Sequence, residues 1–580
     1  MKIVNARRTS QVFFFVLFVW FCIVSTVGER FHQLGGWPIN WFLQMDPLAA
    51  IATVLSTHSL YGGFLWAVSV VVLTIIFGRF FCGWVCPFGS LHHFFGCLGK
   101  RGKTAGERIR LNRYRSAQRV KYYILIFFLA MCAFPSAAAS VQIGLLDPIV
   151  LVTRSFNLVI VPIADKAFGV VTVAGRFYEW AWLIVSVFTV MVLLNFVVPR
   201  FFCRFICPLG ALFGIIDRLA VWRIGQREGK CTGCKVCEQG CEGGCEPSGV
   251  IRISECVLCF NCLDDCTYDA VGYGIRRSSA GEITNPDVSR RGVLLSLASG
   301  VFGVGAVRLG GKLAGNWHHG VIRPPGALPE EEFLKRCIKC GQCMRVCPTN
   351  VIQPAGFAGG FENLWTPVLN NRIGTSGCQL NCVACGQVCP TAAIRPISLD
   401  EKRGTGEFAG GKPVKLGTAF VDRSRCLAWA MGRPCIVCQE NCPVSPKAIF
   451  TRATYETVRD GVFHIKLVKN NIIETEERRM VFGEFTGGDY FLKVPGWGRK
   501  KIASNTKDSV IINDDTKAES GGLEKGTEVE IQVRLLQPYV DAELCIGCGI
   551  CEHECPVSGR PAIRVSAEGE SRSTDRKMLL

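Results

Sequence analysis

Apolar residues dominate four stretches of the first two hundred positions: Gln11–Val27, Leu60–Phe77, Val120–Phe134 and Trp180–Val198. Each is long enough, or nearly so, for the roughly 20 helical residues that cross a hydrocarbon core, so the pattern predicts four membrane helices. The basic start MKIVNARRTS precedes the first run without a small-residue cleavage site, which favours a retained anchor over a removed signal. A fifth run, from Gly292 to Val307, is short, glycine-rich and weakly apolar. From His318 onward the chain reads as soluble, with strand-like stretches at Val462–Val468, Met480–Leu492 and Val529–Leu535.

Charge orients these spans. The segment Lys100–Lys121 carries nine basic residues against Glu107 alone, whereas Gly28–Ser59 and Pro135–Glu179 are roughly balanced. Lysine and arginine gather on cytoplasmic loops, which puts the first segment inside and the other two outside. A hydrophobic fraction of 49% and a mean hydropathy of +0.27 fit a chain partly in a membrane. The formal charge of +18 is read as topology, with no nucleic-acid partner expected, because the basic residues sit beside the apolar runs.

The apolar half contains a repeat. Asp46-Pro47-Leu48 precedes a span ending in RFFCGWVCPFGSL, and Asp147-Pro148-Ile149 precedes one ending in RFFCRFICPLGAL. Two copies of a two-helix unit, related by a pseudo-twofold axis along the membrane normal, bring Cys82, Cys86, Cys203 and Cys207 towards one another. Cysteines four apart share a helix face. Three readings stand open for them: a shared metal centre, a thiol redox pair, or small-residue packing. Cys22, Cys97 and Cys132 fit no motif and are read as packing residues, and His32 and His58 as polar anchors at outer helix ends.

Of the 32 cysteines, six runs of four have the short spacing of metal ligands rather than of a disulfide framework. Cys231, Cys234, Cys237 and Cys241 form the first run and Cys256, Cys259, Cys262 and Cys266 the second. This is two-cluster ferredoxin spacing, in which three thiolates come from one loop and the fourth from the other motif. The rule gives Cys231, Cys234, Cys237 and Cys266 to one cluster and Cys256, Cys259, Cys262 and Cys241 to the other. Cys245 competes with Cys241, because Glu246-Pro247 follows it. Four further runs each end in Cys-Pro: Cys337, Cys340, Cys343 and Cys347; Cys378, Cys382, Cys385 and Cys389; Cys426, Cys435, Cys438 and Cys442; Cys545, Cys548, Cys551 and Cys555. Their exchange partners stay open, either neighbours in sequence or first with last and second with third. Six [4Fe-4S] clusters are expected, with one further metal centre if the C-x3-CP cysteines bind metal.

The duplicated C-x3-CP spans followed by the ferredoxin pair, about residues 1–280, resemble the NapH-type membrane ferredoxins of periplasmic nitrate reductase systems and the membrane core of NosR proteins. The stretch RPPGALPEEEFLKRCIKCGQCMRVCPTNVIQP, and the sequence to about Phe450, resemble the exported four-cluster ferredoxins of the NapG and methylamine-utilisation (MauM) type. Ser289-Arg290-Arg291-Gly292-Val293-Leu294-Leu295 is close to a twin-arginine export signal, with Arg290 and Arg291 as the recognised pair. An ordinary fifth helix is the plainer reading.

The expected fold is multidomain, an α-helical membrane bundle plus α+β bacterial ferredoxin-like domains. The boundaries are 1–225 for a four-helix domain, 226–275 for a cytoplasmic two-cluster ferredoxin, 276–317 for a linker and crossing segment, and 318–580 for an exported four-cluster ferredoxin. A β insertion of unread role falls near 451–537. The resemblance implies a multi-pass protein of the cytoplasmic membrane in anaerobic respiration, acting as a quinol dehydrogenase or electron-transfer subunit. Quinone would be its diffusible substrate, and a periplasmic reductase or cytochrome its partner. The competing reading is an assembly or reactivation factor that supplies electrons to an external metalloenzyme. No C-x-x-C-H is present, which argues against c-type haem.

Overall fold

The computed structural model describes residues 3–25, 38–59, 61–133, 141–169, 175–313, 321–357, 360–513 and 524–572, with backbone only over 304–313. His32 and His318 lie outside them. The chain divides into two compact units: Met1–Thr375 with Asn381–Val414 and Arg572–Asp575, and Ser376–Leu380 with Lys415–Ser571 and Arg576–Leu580. Of the four cysteine motifs in 318–580, the first two lie mainly in the first unit and the last two in the second.

The first unit is built on helices α1 (Ile3–Val24), α2 (Pro47–Thr57), α3 (Leu65–Phe77), α4 (Phe80–Trp84), α5 (Pro87–Gly99), α6 (Val120–Ala133), α7 (Pro148–Phe168), α8 (Ala181–Leu193), α9 (Phe201–Phe205), α10 (Pro208–Ile216) and α11 (Arg290–Leu313). Four starts share one grammar. Asp46, Cys86, Asp147 and Cys207 each cap a helix whose first residue is proline, and each side chain accepts an amide N–H of the first turn. Proline at that position loses no hydrogen bond, because the first-turn N–H groups have no intrahelical acceptor.

Among the described residues two helices, α1 and α7, are long and apolar enough to cross a membrane; Pro47–Thr57, Gly62–Phe77 and Ala181–Phe196 are shorter apolar helices. The segment Pro135–Glu179, expected as an outer loop, contains α7, of whose most apolar window 83% is buried. Its hydrophobic run is broken by Arg154 and Asp165, both buried, which hid it from a reading by hydropathy. The expected four helices become α1, α3, α6 and α8 with α2 and α7 packed among them. Residues such as Val12, Phe13, Leu65, Trp66, Val68, Trp182, Leu294 and Phe302 are exposed on this unit. Such large apolar side chains left bare are uncommon on a soluble monomer.

Helix α11 begins at Arg290 and packs along α6. Gly300 makes the close approach possible, since a Cβ there would lie 2.5 Å from the Phe127 carbonyl oxygen and 2.7 Å from Ala130 Cβ. The linker expectation over 276–317 is narrowed from both sides: Glu282–Ile283 pairs with Ile251–Arg252, and Val271–Gly274 with Arg223–Gln226, so the first ferredoxin fold extends from Arg223 to Ile283.

In the second unit the expected β insertion is a closed six-stranded barrel. Its strands are β1 (Ile449–Lys469), β2 (Ile472–Thr475), β3 (Tyr490–Val494), β4 (Gly498–Asn505), β5 (Ser509–Ile512) and β6 (Glu528–Val540), in the order β3-β4-β5-β2-β1-β6. Phe463, Ile473, Leu492, Ile502, Val510 and Ile531 fill it. Met480–Leu492 forms no single strand: Met480 and Phe485 are loop residues buried in the barrel core, and pairing starts only at Tyr490.

Candidate iron–sulfur sites

The two ferredoxin folds of the first unit touch opposite ends of α1. Val4 belongs to the core formed by Cys237, Cys241, Cys256 and Cys262, while Val24 packs with Val346, Ala384 and Cys382. Twenty residues of helix separate Val4 from Val24, about 30 Å at 1.5 Å per residue.

At the Val4 end of α1, the repeat supplies the contacts. Arg200 Nε donates to Glu242 Oε2 at 2.5 Å, and Arg79, its counterpart in the first copy, donates to the Ser254 carbonyl. Glu242 also meets His93 Nδ1 at 2.6 Å and Arg7 at 3.5 Å. Burial alone would raise the Glu242 carboxyl, yet His93 and Arg200 hold it well below the usual carboxylate range. Glu255 accepts from Lys121 at 2.5 Å, from Gln118 at 2.9 Å and from Tyr122 at 3.0 Å. Gly83 lies under the Val257 carbonyl, where any Cβ would collide. These partners were not read from the sequence; the duplicated arginine of RFFC was the available signal.

The four C-x3-CP cysteines share the central core of the bundle. Cys86 lies within electrostatic reach of Cys82 and Cys203, and Cys207 of the same two. Cys86 and Cys207 Sγ accept N–H from Gly89 at 3.4 Å and Gly210 at 3.1 Å. Among the described residues, no three His, Cys, Asp or Glu side chains converge as ligands of a single ion. A cubane cluster spreads its four ligands over four irons, so its thiols need not converge in that way.

In the inner ferredoxin, Cys237 is surrounded by Cys266, Cys241 and Cys231, and Cys262 by Cys259, Cys256 and Cys241. Cys241 and Cys245 are both buried, with Sγ atoms 3.3 Å apart, and the Cys245 amide donates to Cys241 Sγ at 3.3 Å. The hydrogen bond from Cys245 holds the Cys241 thiol down at about 7. Either sulfur can donate to the other, and Cys245 also lies within hydrogen-bond reach of Cys256, so both thiols stand at the second cluster site.

At the Val24 end of α1, Val141 N donates to the Leu334 carbonyl at 3.1 Å, Arg154 to the Lys339 carbonyl at 3.2 Å, and Lys339 Nζ to Gln142 Oε1 at 2.5 Å. Gly144 lies against the Ile338 carbonyl, again leaving no room for a Cβ. Cys337, Cys340, Cys343 and Cys389 line one cavity. The fourth thiol thus comes from the following motif. Cys382 and Cys385 belong to the same unit, whereas Cys378 lies on the Ser376–Leu380 segment of the second unit, where its N–H donates to the Cys548 carbonyl at 2.7 Å.

The second unit repeats the exchange. Cys545, Cys548, Cys551 and Cys442 line a cavity, and Cys426, Cys435 and Cys438 lie around Cys555. Neighbouring motifs thus exchange, third with fourth and, at the first cavity, first with second. The residues fit the cluster: each cavity offers four thiols and little else that is polar, and burial pushes the Cys343 and Cys551 thiols well up, so only a bound cation would make them thiolates. Cys97, read as a packing residue, is exposed; Cys22 and Cys132 are buried.

The sequence matches a 4Fe-4S binding domain family at 59–104 and again at 180–227, the two copies of the repeat, and a second 4Fe-4S binding domain family at 333–353 and 538–558. It is 29% identical over 280 residues to an uncharacterized protein of Methanocaldococcus jannaschii, covering 47% of this chain and 87% of that protein. The regulatory protein NosR of Pseudomonas aeruginosa is 24% identical over 239 residues, 39% of this chain and 30% of its own length. The methylamine utilization ferredoxin-type protein MauM of Methylorubrum extorquens is 32% identical over 129 residues, 22% of this chain and 53% of its own length. No solved structure is matched. With thiol-lined cavities in both units and two 4Fe-4S binding domain families matched, the chain is an iron–sulfur protein of [4Fe-4S] ferredoxin type.

Proposed function

We propose that this chain is a membrane-bound electron-transfer protein of anaerobic respiration that takes electrons from a quinol and hands them to a redox partner outside the membrane. The observation that carries the reading is the pair of ferredoxin folds held about 30 Å apart at the two ends of α1, the thickness of a hydrocarbon core. Six [4Fe-4S] clusters would supply one-electron carriage. Cys231, Cys234, Cys237 and Cys266, then Cys256, Cys259, Cys262 and Cys241, hold the inner two. Cys337, Cys340, Cys343 and Cys389 would hold the first outer one, and Cys426, Cys435, Cys438 and Cys555, then Cys545, Cys548, Cys551 and Cys442, two more; the remaining motif cysteines are Cys347, Cys382 and Cys385 in the first unit and Cys378 in the second.

In this reading the basic segment Lys100–Lys121 faces the cytoplasm with the first ferredoxin, and Arg290-Arg291 keeps the near end of α11 inside while the later domains are exported. The exposed apolar side chains of α1, α3, α8 and α11 face lipid. The chain's own residues supply the fixed geometry: Arg200 and Lys121 bind the inner ferredoxin through Glu242 and Glu255, and Arg154 and Gln142 hold the Cys337 loop. Joining donor and acceptor in one chain replaces encounter by a high effective concentration.

The test is anaerobic addition of a quinol to the purified full-length protein, followed by optical bleaching and EPR of the clusters. Reduction by quinol supports the reading. Clusters that stay oxidised with quinol yet reduce with dithionite would overturn it.

A further inference from the structure

Of the two cysteine motifs in the second unit, the one that begins at Cys426 is the more open. Eight residues separate Cys426 from Cys435, where the other motifs have two or three. That loop carries Trp429, Met431 and Arg433, the last two exposed. Cys435 and Cys438 are partly exposed, whereas Cys545, Cys548 and Cys551 are buried. From Arg423 to Arg452 the chain has five basic residues against Glu440 alone.

Two of those arginines lie across a stack of aromatic rings. The Arg423 guanidinium carbon is 4.3 Å from the centre of the Trp429 ring and 5.8 Å from that of Tyr539; the Arg452 carbon is 4.8 Å from Tyr539 and 5.8 Å from Phe450. Tyr539 and Phe450, paired across β6 and β1, stack at 5.7 Å, and Trp429 meets Tyr539 edge-on at 5.5 Å. Trp429 Nε1 donates to the Pro538 carbonyl at 3.3 Å, and the same side chain packs against the core that holds Cys426 and Cys555. Three rings thus lead from these cysteines to Phe450, which is exposed.

Arg423 and Arg452 are exposed, and neither is in an ion pair among the described residues. The acid next to Arg423, Asp422, is engaged elsewhere, by Ser424 at 2.6 Å and Arg564 at 3.5 Å. Stacking on a ring fixes a guanidinium while leaving its donors to solvent, so less freedom is lost when a carboxylate arrives. Arginine, tryptophan, tyrosine, phenylalanine and methionine are also the side chains enriched at protein interfaces.

We propose that the stack of Arg423, Trp429, Tyr539, Arg452 and Phe450 is the docking surface for an acidic soluble redox protein. The inference deepens the reading of the chain as an electron carrier and rests on it. Carboxylates of the partner pair with Arg423 and Arg452, and Trp429 ties the docked protein to Cys426 and Cys555. One electron leaves the site those cysteines build for each electron that the partner's cofactor gains. A lipid surface also attracts basic residues, but it accepts no electron, and the contact of Trp429 with the cysteine core favours the protein.

The experiment is binding of the cluster-loaded full-length protein to an acidic plant-type [2Fe–2S] ferredoxin, with a basic cytochrome c as the opposite probe, by surface plasmon resonance across a salt series. The ferredoxin is expected to bind more tightly than the cytochrome and to weaken as salt rises. The double variant Arg423→Glu/Arg452→Glu should lose about tenfold or more in affinity for it. Arg423→Lys/Arg452→Lys should keep most of the affinity because the charge is retained, and the iron content of both variants checks that the fold and clusters persist. No ferredoxin binding in the parent, or equal affinity in the parent and the glutamate variant, would overturn the surface. A lysine variant as weak as the glutamate one would overturn recognition by charge. A glutamate variant that loses affinity for phosphatidylglycerol vesicles but not for ferredoxin would overturn the protein partner in favour of lipid. Binding is read without any electron moving, so its failure is distinct from a failure of quinol to reduce the clusters.

Discussion

Cys389 faces Cys340 across one cavity, although it closes the motif that follows. The consequence is testable by ligand replacement. Cys389→Ser should damage the site built by Cys337, Cys340 and Cys343, and Cys442→Ser the site built by Cys545, Cys548 and Cys551. Each change should remove up to about four irons and abolish one EPR signal while sparing the others. Loss instead of the signal of the motif's own three cysteines would contradict the crossed arrangement.

Cys241 and Cys245 make a finer case. The C-x3-C spacing makes Cys241 the expected fourth ligand, with Cys245 Sγ 3.3 Å from its sulfur. Cys241→Ser should therefore cost a cluster, whereas Cys245→Ser should keep the iron and shift the midpoint potential of the remaining signal, since hydrogen bonds to ligand sulfurs tune potential. Iron loss from the second variant alone would reverse the assignment.

The six cysteine runs, the repeat and the barrel insertion were legible because spacing, duplication and alternation are local. The helix α7 was not: Arg154 and Asp165 break its hydropathy, and what buries them is the surrounding bundle rather than anything adjacent in sequence. The choice between exchange partners was also invisible, because equal spacings fit both pairings and only the packing of short helices brings Cys389 to Cys337. The docking carboxylates Glu242 and Glu255 sit inside the cysteine-rich stretch, where a lone acid carries no signal until its arginine and lysine partners are seen.

Glu242 anchors the inner ferredoxin to the repeat. Glu242→Gln leaves Arg200 and Arg7 buried without a countercharge, which typically costs 3–5 kcal/mol, order of magnitude ~4. Limited proteolysis and hydrogen exchange should show Arg223–Ile283 loosened at unchanged sequence elsewhere. An unaltered exchange pattern in that segment would show the ion pairs to be incidental.

Glu330 gives the pH dependence. Burial pushes its carboxyl up, but Arg323 at 2.5 Å and Arg572 at 2.8 Å bring it down to about 2 from an ordinary 4.5. A depressed carboxyl stabilises the fold above its ordinary value, and that contribution is lost as pH falls from about 4.5 towards 2. The shift corresponds to about 3 kcal/mol. Hydrogen exchange around Glu330–Leu334 should accelerate over that window, and Glu330→Gln should remove the acid dependence. A variant that keeps the parent's acid profile would assign the effect to another group.

The account stands on six cubane sites distributed over both units, so the decisive measurement is the iron and acid-labile sulfide content of the purified full-length chain, with EPR during a redox titration. Twenty-four motif cysteines predict about 24 irons per chain. A fully loaded preparation with about eight irons, the content of the inner ferredoxin alone, would contradict the account.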